Sequence, residues 1–215
     1  LVTAMVLLDH NIDLKTTATI TRQDARRSSR SRLRVGYEAT IEDLLYAALL
    51  NSDNRAARAI ARTVASSYGA FAKLMNAKVR RLGLRKTHFV EPTGLDRRNV
   101  STAHEVALLL HYALDYPTLA KITSTRHHVV RILNRKRTQI QLSNTNLIIY
   151  SRYHVLTGKT GYIRASDYCL GTIVENKLGQ RLTVVVLGVP GDKRRFREAR
   201  KLIDWSYRKL QAGQV

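Results

Sequence analysis

The run Val155-Leu156-Thr157-Gly158-Lys159-Thr160-Gly161-Tyr162 sets one lysine between two glycines inside a stretch that otherwise favours a pleated backbone. Glycine within a strand marks a bulge, or a place where a ligand or another backbone comes close. Far upstream, Ser52, Asp53 and Asn54 bring a hydroxyl, a carboxylate and an amide into a break between two helices. Short polar residues at such a break commonly cap the following helix, here one starting near Arg55. Each tripeptide alone is therefore readable as structure: a glycine-kinked edge strand and a helix cap. Together, in the order S-D-N and then K-T-G 107 residues later, the pair is far more specific than either tripeptide alone.

The elements that must carry these residues follow from periodicity. Leu1–His10 reads as the middle of a buried helix with no capping residue before it. Lys15–Ala25 alternates like a strand, and Ser31–Ala39 resembles a second. Thr40 caps a helix whose Ile41, Leu44, Leu45, Ala48 and Leu49 share one face. Further helices are expected over about 55–67, 70–82 and 102–114, the last ending before Pro117. From Val129 the period changes to that of strands. A short hairpin is expected from HVVRIL and TQIQL, then strands over 155–163, 168–175 and 181–189. LTVVVLGV is apolar at nearly every position, as in a central strand covered on both faces. An amphipathic helix over 192–210 closes the chain, with Phe196, Ala199, Leu202, Ile203 and Leu210 on its buried side. The expectation is an α+β fold, an antiparallel sheet flanked by helices in three layers, in a single domain spanning 1–215.

Thirty-seven Lys and Arg against 16 Asp and Glu give a net charge of +21. Such a surface attracts polyanions: nucleic acid, anionic lipid or an acidic wall polymer. Three clusters hold much of it: Arg22–Arg34 with six arginines, Arg126–Arg137 and Lys193–Lys201. None has interleaved aromatics or matches a nucleic-acid recognition motif, and solvated faces account for any one of them. The single cysteine, Cys169, excludes an internal disulfide. No apolar run reaches the roughly 18 residues of a spanning helix, and no signal-peptide pattern is read at the front.

S-D-N followed by K-T-G are two of the three signature elements of class A β-lactamases and penicillin-binding proteins. The segments THFVEPTGLD, NVSTAHEVALLL and LSNTNLIIY extend the likeness over essentially the whole chain. The sequence resembles the low-molecular-mass penicillin-binding proteins, the serine D-alanyl-D-alanine peptidases, and most of all their DD-endopeptidases of the penicillin-binding protein 7 kind. The resemblance implies a β-lactamase/transpeptidase-like fold. It also implies a bacterial cell-wall hydrolase that cuts D-alanyl bonds of peptidoglycan through an acyl-enzyme, as endopeptidase or carboxypeptidase. The third element is Ser-x-x-Lys. The reading places none within the chain, Thr118–Lys121 having the spacing without the serine. In that family the motif runs directly into a segment like LVTA, so the nucleophile and its lysine are expected just before Leu1, as in a chain truncated at its N-terminus and inactive as written.

For the residues present, the resemblance implies Lys159 as the second cation holding the motif lysine's pKa down, and as a point charge for the substrate carboxylate. Thr160 adds a hydroxyl for that carboxylate. Ser52 relays a proton to the leaving amine and Asn54 holds the substrate amide. Tyr162 gives its backbone N–H to an oxyanion hole, and Gly161 leaves room for a substrate paired along the strand. No metal or organic cofactor is implied. Penicillins are implied as covalent inhibitors where the serine is present, and the place as the periplasm, soluble or loosely membrane-associated. Glu91 is the residue a β-lactamase reading would use to activate a deacylating water; the peptidase reading has it shape a loop. His104 and His111 share a helix face without a third metal ligand, and His127, His128 and His154 have no required role. The alternatives are a non-catalytic peptidoglycan-binding relative, a class A-like β-lactamase, and a basic nucleic-acid-binding protein.

Overall fold

The computed structural model describes residues 1–26 and 31–213, so Arg27 and Arg30 of the first basic cluster lie outside the described residues. Its elements fall into a helical half and a sheet half. In the first, α1 (Val2–Asp9), α3 (Ile41–Leu50), α4 (Asn54–Val64), α5 (Tyr68–Arg81), α6 (Ala103–Leu114) and α7 (Pro117–Thr123) surround a core that includes Met5, Leu44, Leu45, Ile60 and Phe71. In the second, β5 (His154–Ile163), β6 (Asp167–Glu175) and β7 (Arg181–Val189) form an antiparallel sheet in that order. The final helix α8 (Asp192–Gln211) packs on one sheet face around Leu170, Val174, Phe196 and Ile203. On the other face lies α6, so close that a Cβ at Gly171 would stand 3.0 Å from Leu110 and 3.1 Å from Val106. Helix, sheet, helix is the three-layer α+β arrangement expected.

Local chemistry explains where the elements differ from the periodicity. Lys15–Ala25 is a strand only at β1 (Thr17–Thr19), because Thr21 and Asp24 form a reciprocal capping box that starts the short helix α2 (Arg22–Ala25). Within Ser31–Ala39 only the end is strand, in β2 (Glu38–Thr40), which pairs with β1; Gly36 at φ +85° turns the chain just before it. Pro117 begins α7 as well as following α6, its fixed φ suiting the first helical turn. The apolar run 182–189 belongs to β7, an edge of the described sheet, and the middle strand is β6. An apolar run reports covered faces and says nothing of lateral position. On α8, Leu202 is 43% exposed, and Tyr207 fills the core instead.

The hairpin β3 (His127–Arg131) and β4 (Gln139–Ser143) forms as expected. The segment after it, Asn144–Thr145–Asn146, joins the two halves through buried polar contacts rather than apolar ones. Asn144 Nδ2 donates to Thr123 O at 3.0 Å and to Thr125 O at 2.9 Å. Thr123 and Thr157 hydroxyls meet at 2.9 Å, Thr172 Oγ1 donates to Thr157 O at 2.9 Å, and Asn146 Nδ2 donates to Thr172 Oγ1 at 3.2 Å. Thr145 N–H reaches back to Leu50 O at 2.9 Å, at the end of α3. This seam fixes β5 against the helices.

Gly158 sits on the seam. A Cβ there would fall 2.5 Å from Asn146 Nδ2 and 2.8 Å from Thr172 Oγ1. Gly158→Ala must part that pair, and overpacking a buried site costs about 1–3 kcal/mol. Denaturant unfolding of the variant against the parent measures this; a change within about 0.5 kcal/mol, the usual range of a surface substitution, would show the seam to be loose.

Candidate active site

The turn between α3 and α4 presents the first part of the site. Asn51 and Asp53 both close onto Ala47 O, at 3.3 and 3.0 Å, with Ser52 between them at φ 53°. That left-handed position at a helix end favours glycine, so a serine there is strained. Asp53 takes the capping duty: its Oδ1 accepts from Arg55 N at 2.9 Å and Ala56 N at 3.1 Å. Capping thus accounts for Asp53 and leaves Ser52 unexplained by it. Asn54, the first residue of α4, is buried at the cleft wall.

β5 presents the second part. Lys159 Nζ donates to Ser52 Oγ and, at 2.9 Å, to Thr160 O. Thr160 Oγ1 lies 2.6 Å from Thr145 Oγ1, which in turn donates to Leu50 O at 3.0 Å, so the hydroxyl row runs from β5 to the end of α3. At Gly161 a Cβ would meet only Cys169 Cβ, at 3.7 Å, so the protein itself leaves that side of the strand open. Tyr162 is exposed and stacks on Tyr168, its cross-strand partner, with centroids 4.2 Å apart. β5 is an edge strand of the described sheet, which leaves its second edge toward the cleft. Ser52, Asn54, Lys159, Thr160, Gly161 and Tyr162 all line one cavity of about 690 Å³, a volume typical of small-ligand sites.

Arg195, from the first turn of α8, is the residue that sequence reasoning missed. Its Nη1 donates to Gly161 O at 3.0 Å and Cys169 O at 3.3 Å, and its Nη2 pairs with Asp192 at 2.7 Å. It stands one residue before Phe196 inside a basic run, and that adjacency to the buried face is the only signal that it turns inward. Burial of the Lys159 ammonium, and then the positive charge of Arg195, push the Lys159 pKa down to about 8. Leu1, just ahead of α1, lines the same cavity as Lys159.

The opposite wall is the loop 91–96. Glu91 accepts from Thr93 N at 2.8 Å, Gly94 N at 2.7 Å, Leu95 N at 2.9 Å and Asn99 Nδ2 at 2.7 Å. Its carboxylate is spent on shaping its own loop, as the peptidase reading has it, and Thr3 ties that loop to α1 through Pro92 O at 2.6 Å. One Ser-x-x-Lys does occur in the chain, Ser206–Lys209, contrary to the sequence reading. It lies in the last turns of α8, about 16 Å along the helix from Arg195 at ~1.5 Å per residue, and does not line the cleft. Among the histidines, His111 Nε2 lies 2.7 Å from Thr183 Oγ1, His128 stacks on Tyr46 and bonds Asp43, and His154 pairs with Glu175. No group of three His, Cys, Asp or Glu suited to a metal occurs among the described residues.

Comparison with known proteins shows the family and the fold. The family model described as D-alanyl-D-alanine carboxypeptidase matches residues 1–191. The D-alanyl-D-alanine endopeptidase of Escherichia coli is 35% identical over 220 residues, covering 100% of this chain and 68% of that enzyme. That of Pseudomonas aeruginosa is 34% identical, again over 100% and 68%. The crystal structure of the Streptomyces K15 DD-transpeptidase superposes with a TM-score of 0.86 at 26% identity, covering 96% of this chain and 84% of that one.

The electrostatics of the cleft can be checked by titration. NMR of the lysine side chains should show Lys159 titrating near 8, against roughly 10.4 for an unperturbed lysine, and Arg195→Gln should move it upward. Because the folded pKa is lowered, the unfolded chain binds more protons between these values, so Lys159 costs stability below about 8 and that cost is relieved as pH rises. The unfolding free energy of the parent relative to Lys159→Met should therefore improve across that window. A Lys159 midpoint at the ordinary value would refute the desolvated, cation-flanked site.

Proposed function

Since the chain belongs to the D-alanyl-D-alanine carboxypeptidase family of serine DD-peptidases, we propose that its cleft binds the D-alanyl end of a peptidoglycan peptide and cuts it through an acyl-enzyme. The observation that carries this is the meeting of Ser52 and Lys159, from the α3–α4 turn and from β5, in a cleft where capping occupies only Asp53. An ammonium that donates to Ser52 Oγ leaves that hydroxyl's own hydrogen for another acceptor. Lys159, mostly protonated at neutral pH, holds the substrate carboxylate as a point charge, with Thr160 adding a hydroxyl bond. The peptide lies along the open edge of β5, where Gly161 makes room and Tyr162 gives a backbone N–H to the developing oxyanion. Asn54 holds the substrate amide.

Leu1, at the start of α1, lines the same cleft as Lys159, so a Ser-x-x-Lys continuing that helix directly ahead of Leu1 would set its lysine beside this point and its serine one turn further, about 6 Å at ~1.5 Å per residue. Serine Oγ then attacks the D-alanyl carbonyl carbon while its proton passes to the motif lysine. Ser52 gives its hydrogen to the leaving nitrogen and takes the motif lysine's extra proton in its place, the C–N bond breaks, and the acyl group stays on serine as an ester. Water then attacks the ester carbonyl, its proton passes through the lysine to the serine Oγ as the C–O bond breaks, and the acid leaves. A penicillin follows the same path to a stable ester. The match over the full chain to two D-alanyl-D-alanine endopeptidases supports the endopeptidase reading, and a peptidoglycan substrate would put that activity in the periplasm.

Intact-mass spectrometry tests this. A chain carrying Ser-x-x-Lys directly ahead of Leu1 should gain one drug mass with a penicillin, and the 215-residue chain should gain none. Ser52→Ala in the extended chain should slow acylation by about 10²–10⁴-fold, the range for a lost proton-transfer group. An adduct on the unextended chain, or none on the extended one, would refute the assignment.

A further inference from the structure

The outward face of the β3–β4 hairpin has no role in the chemistry above. Its residues alternate: His127, Val129 and Arg131 point out from β3, opposite Ser143, Gln141 and Gln139 of β4. Five paired residues make a face about 17 Å long at ~3.4 Å per residue. Exposed cations continue it at the hairpin turn, with Arg135, Lys136 and Arg137, and beside β4, where Arg32 donates to Gln141 O at 3.0 Å. Among the described residues none of these arginines or the lysine forms an ion pair. Of the acids beside it, Asp43 is taken, one oxygen by His128 at 2.6 Å and the other by Arg131 N at 3.1 Å, and Glu38 accepts from Thr17 Oγ1 at 2.7 Å.

Two further observations distinguish this face from a merely solvated one. It carries exposed apolar and aromatic surface among its cations. Val129 is 42% and Tyr150 41% exposed, and the Tyr150 ring lies 5.6 Å from that of His127. Tyr150 comes from the 3₁₀ helix Leu147–Tyr150, and its hydroxyl holds Arg126 O at 2.9 Å. The face is also continuous with the cleft. β4 leads through Asn144 to Thr145, whose hydroxyl bonds Thr160, and Ser31, next to Arg32, lines the cavity.

Resting on the reading of the cleft as a peptidoglycan peptidase site, we propose that this face docks the acidic peptides of the same wall polymer beyond the reacting bond. Arginine forks match free carboxylates, and the Tyr150 and Val129 surfaces suit the apolar faces of sugar rings or alanine methyls. A cross-linked substrate is longer than the cleft, and this face begins where the cleft wall ends. Nucleic acid fits less well, since among the described residues of this face Tyr150 is the one tyrosine, and it is already paired with the His127 ring rather than open as a stacking platform.

The test uses the 215-residue chain and co-sedimentation with purified peptidoglycan. The parent should bind, more weakly as salt rises from about 50 to about 200 mM. The quadruple variant Arg131→Gln, Arg135→Gln, Lys136→Gln, Arg137→Gln should lose binding at least about tenfold. Peptidoglycan with its carboxyls amidated should not be held by the parent. Arg131→Lys, Arg135→Lys and Arg137→Lys together, keeping the charge without the fork, should retain part of the binding that the glutamine variant loses, and equal melting temperatures check that the glutamine variant is folded. Unchanged sedimentation of the glutamine variant, retention of amidated peptidoglycan, or tighter binding to duplex DNA or anionic phospholipid vesicles would overturn the proposal. Failure of the catalytic reading appears separately, as an extended chain that binds peptidoglycan through the hairpin yet takes no penicillin.

Discussion

Two hydrophobic cores meet along buried hydroxyls and amides, and everything in the cleft depends on how that seam closes. Apolar packing between the helical half and the sheet half would tolerate a sliding strand, because side chains of similar volume substitute for one another. Hydrogen bonds do not. Thr123, Asn146, Thr157 and Thr172 are all within 1% of full burial, so each donor or acceptor left unpaired would carry its full desolvation cost. Their partners are found at one register of β5 against the helices, and a slip of one residue would turn every side chain of the strand over. Lys159 faces Ser52 because Thr157, two residues earlier on the same strand face, is bonded to Thr123.

Strain and charge are concentrated where the seam delivers its residues. Ser52 holds a backbone conformation that favours glycine, and the neighbouring Asp53 compensates locally by capping α4 with two hydrogen bonds. Arg195 is inserted under β5 with its Nε the one buried side-chain nitrogen or oxygen without a partner among the described residues. Its guanidinium instead bridges the carbonyls of Gly161 and Cys169, which fixes the spacing of β5 and β6 beside the lysine. The positive charge of Arg195 adds to burial in holding the Lys159 pKa down.

How much of this was legible in the sequence follows from what kind of interaction each feature uses. The SDN and KTG tripeptides were readable because their chemistry sits in residue types at short spacing, and the structure brings them together. The α3 helix and its Thr40 cap were readable because both are local. Arg195 was hidden because turning a cation inward is decided by carbonyls of strands far away in the chain. The strand order was hidden for a similar reason: Val184 and Val186 are buried by α8, whichever strand lies beside them. The basic hairpin showed no interleaved aromatic in sequence because its aromatic, Tyr150, arrives from another element. Local signals gave elements and chemistry; lateral and through-space relations needed the fold.

The two sets of cations in this protein act by different physics. Those of the cleft, Lys159 and Arg195, lie in a desolvated environment where salt screens them little, and their effect is confined to the group they touch. Those of the hairpin are exposed, and at physiological ionic strength a charge is screened beyond about 8 Å. A face about 17 Å long therefore cannot steer a ligand from its far end into the cleft by field alone. Arg135, Lys136 and Arg137 can contribute only through direct contact with something that extends that far. A short peptide bound at Lys159 does not; a polymer that continues past Thr145 does. The distribution of charge, rather than its total of +21, is what the proposed docking of an extended acidic substrate rests on.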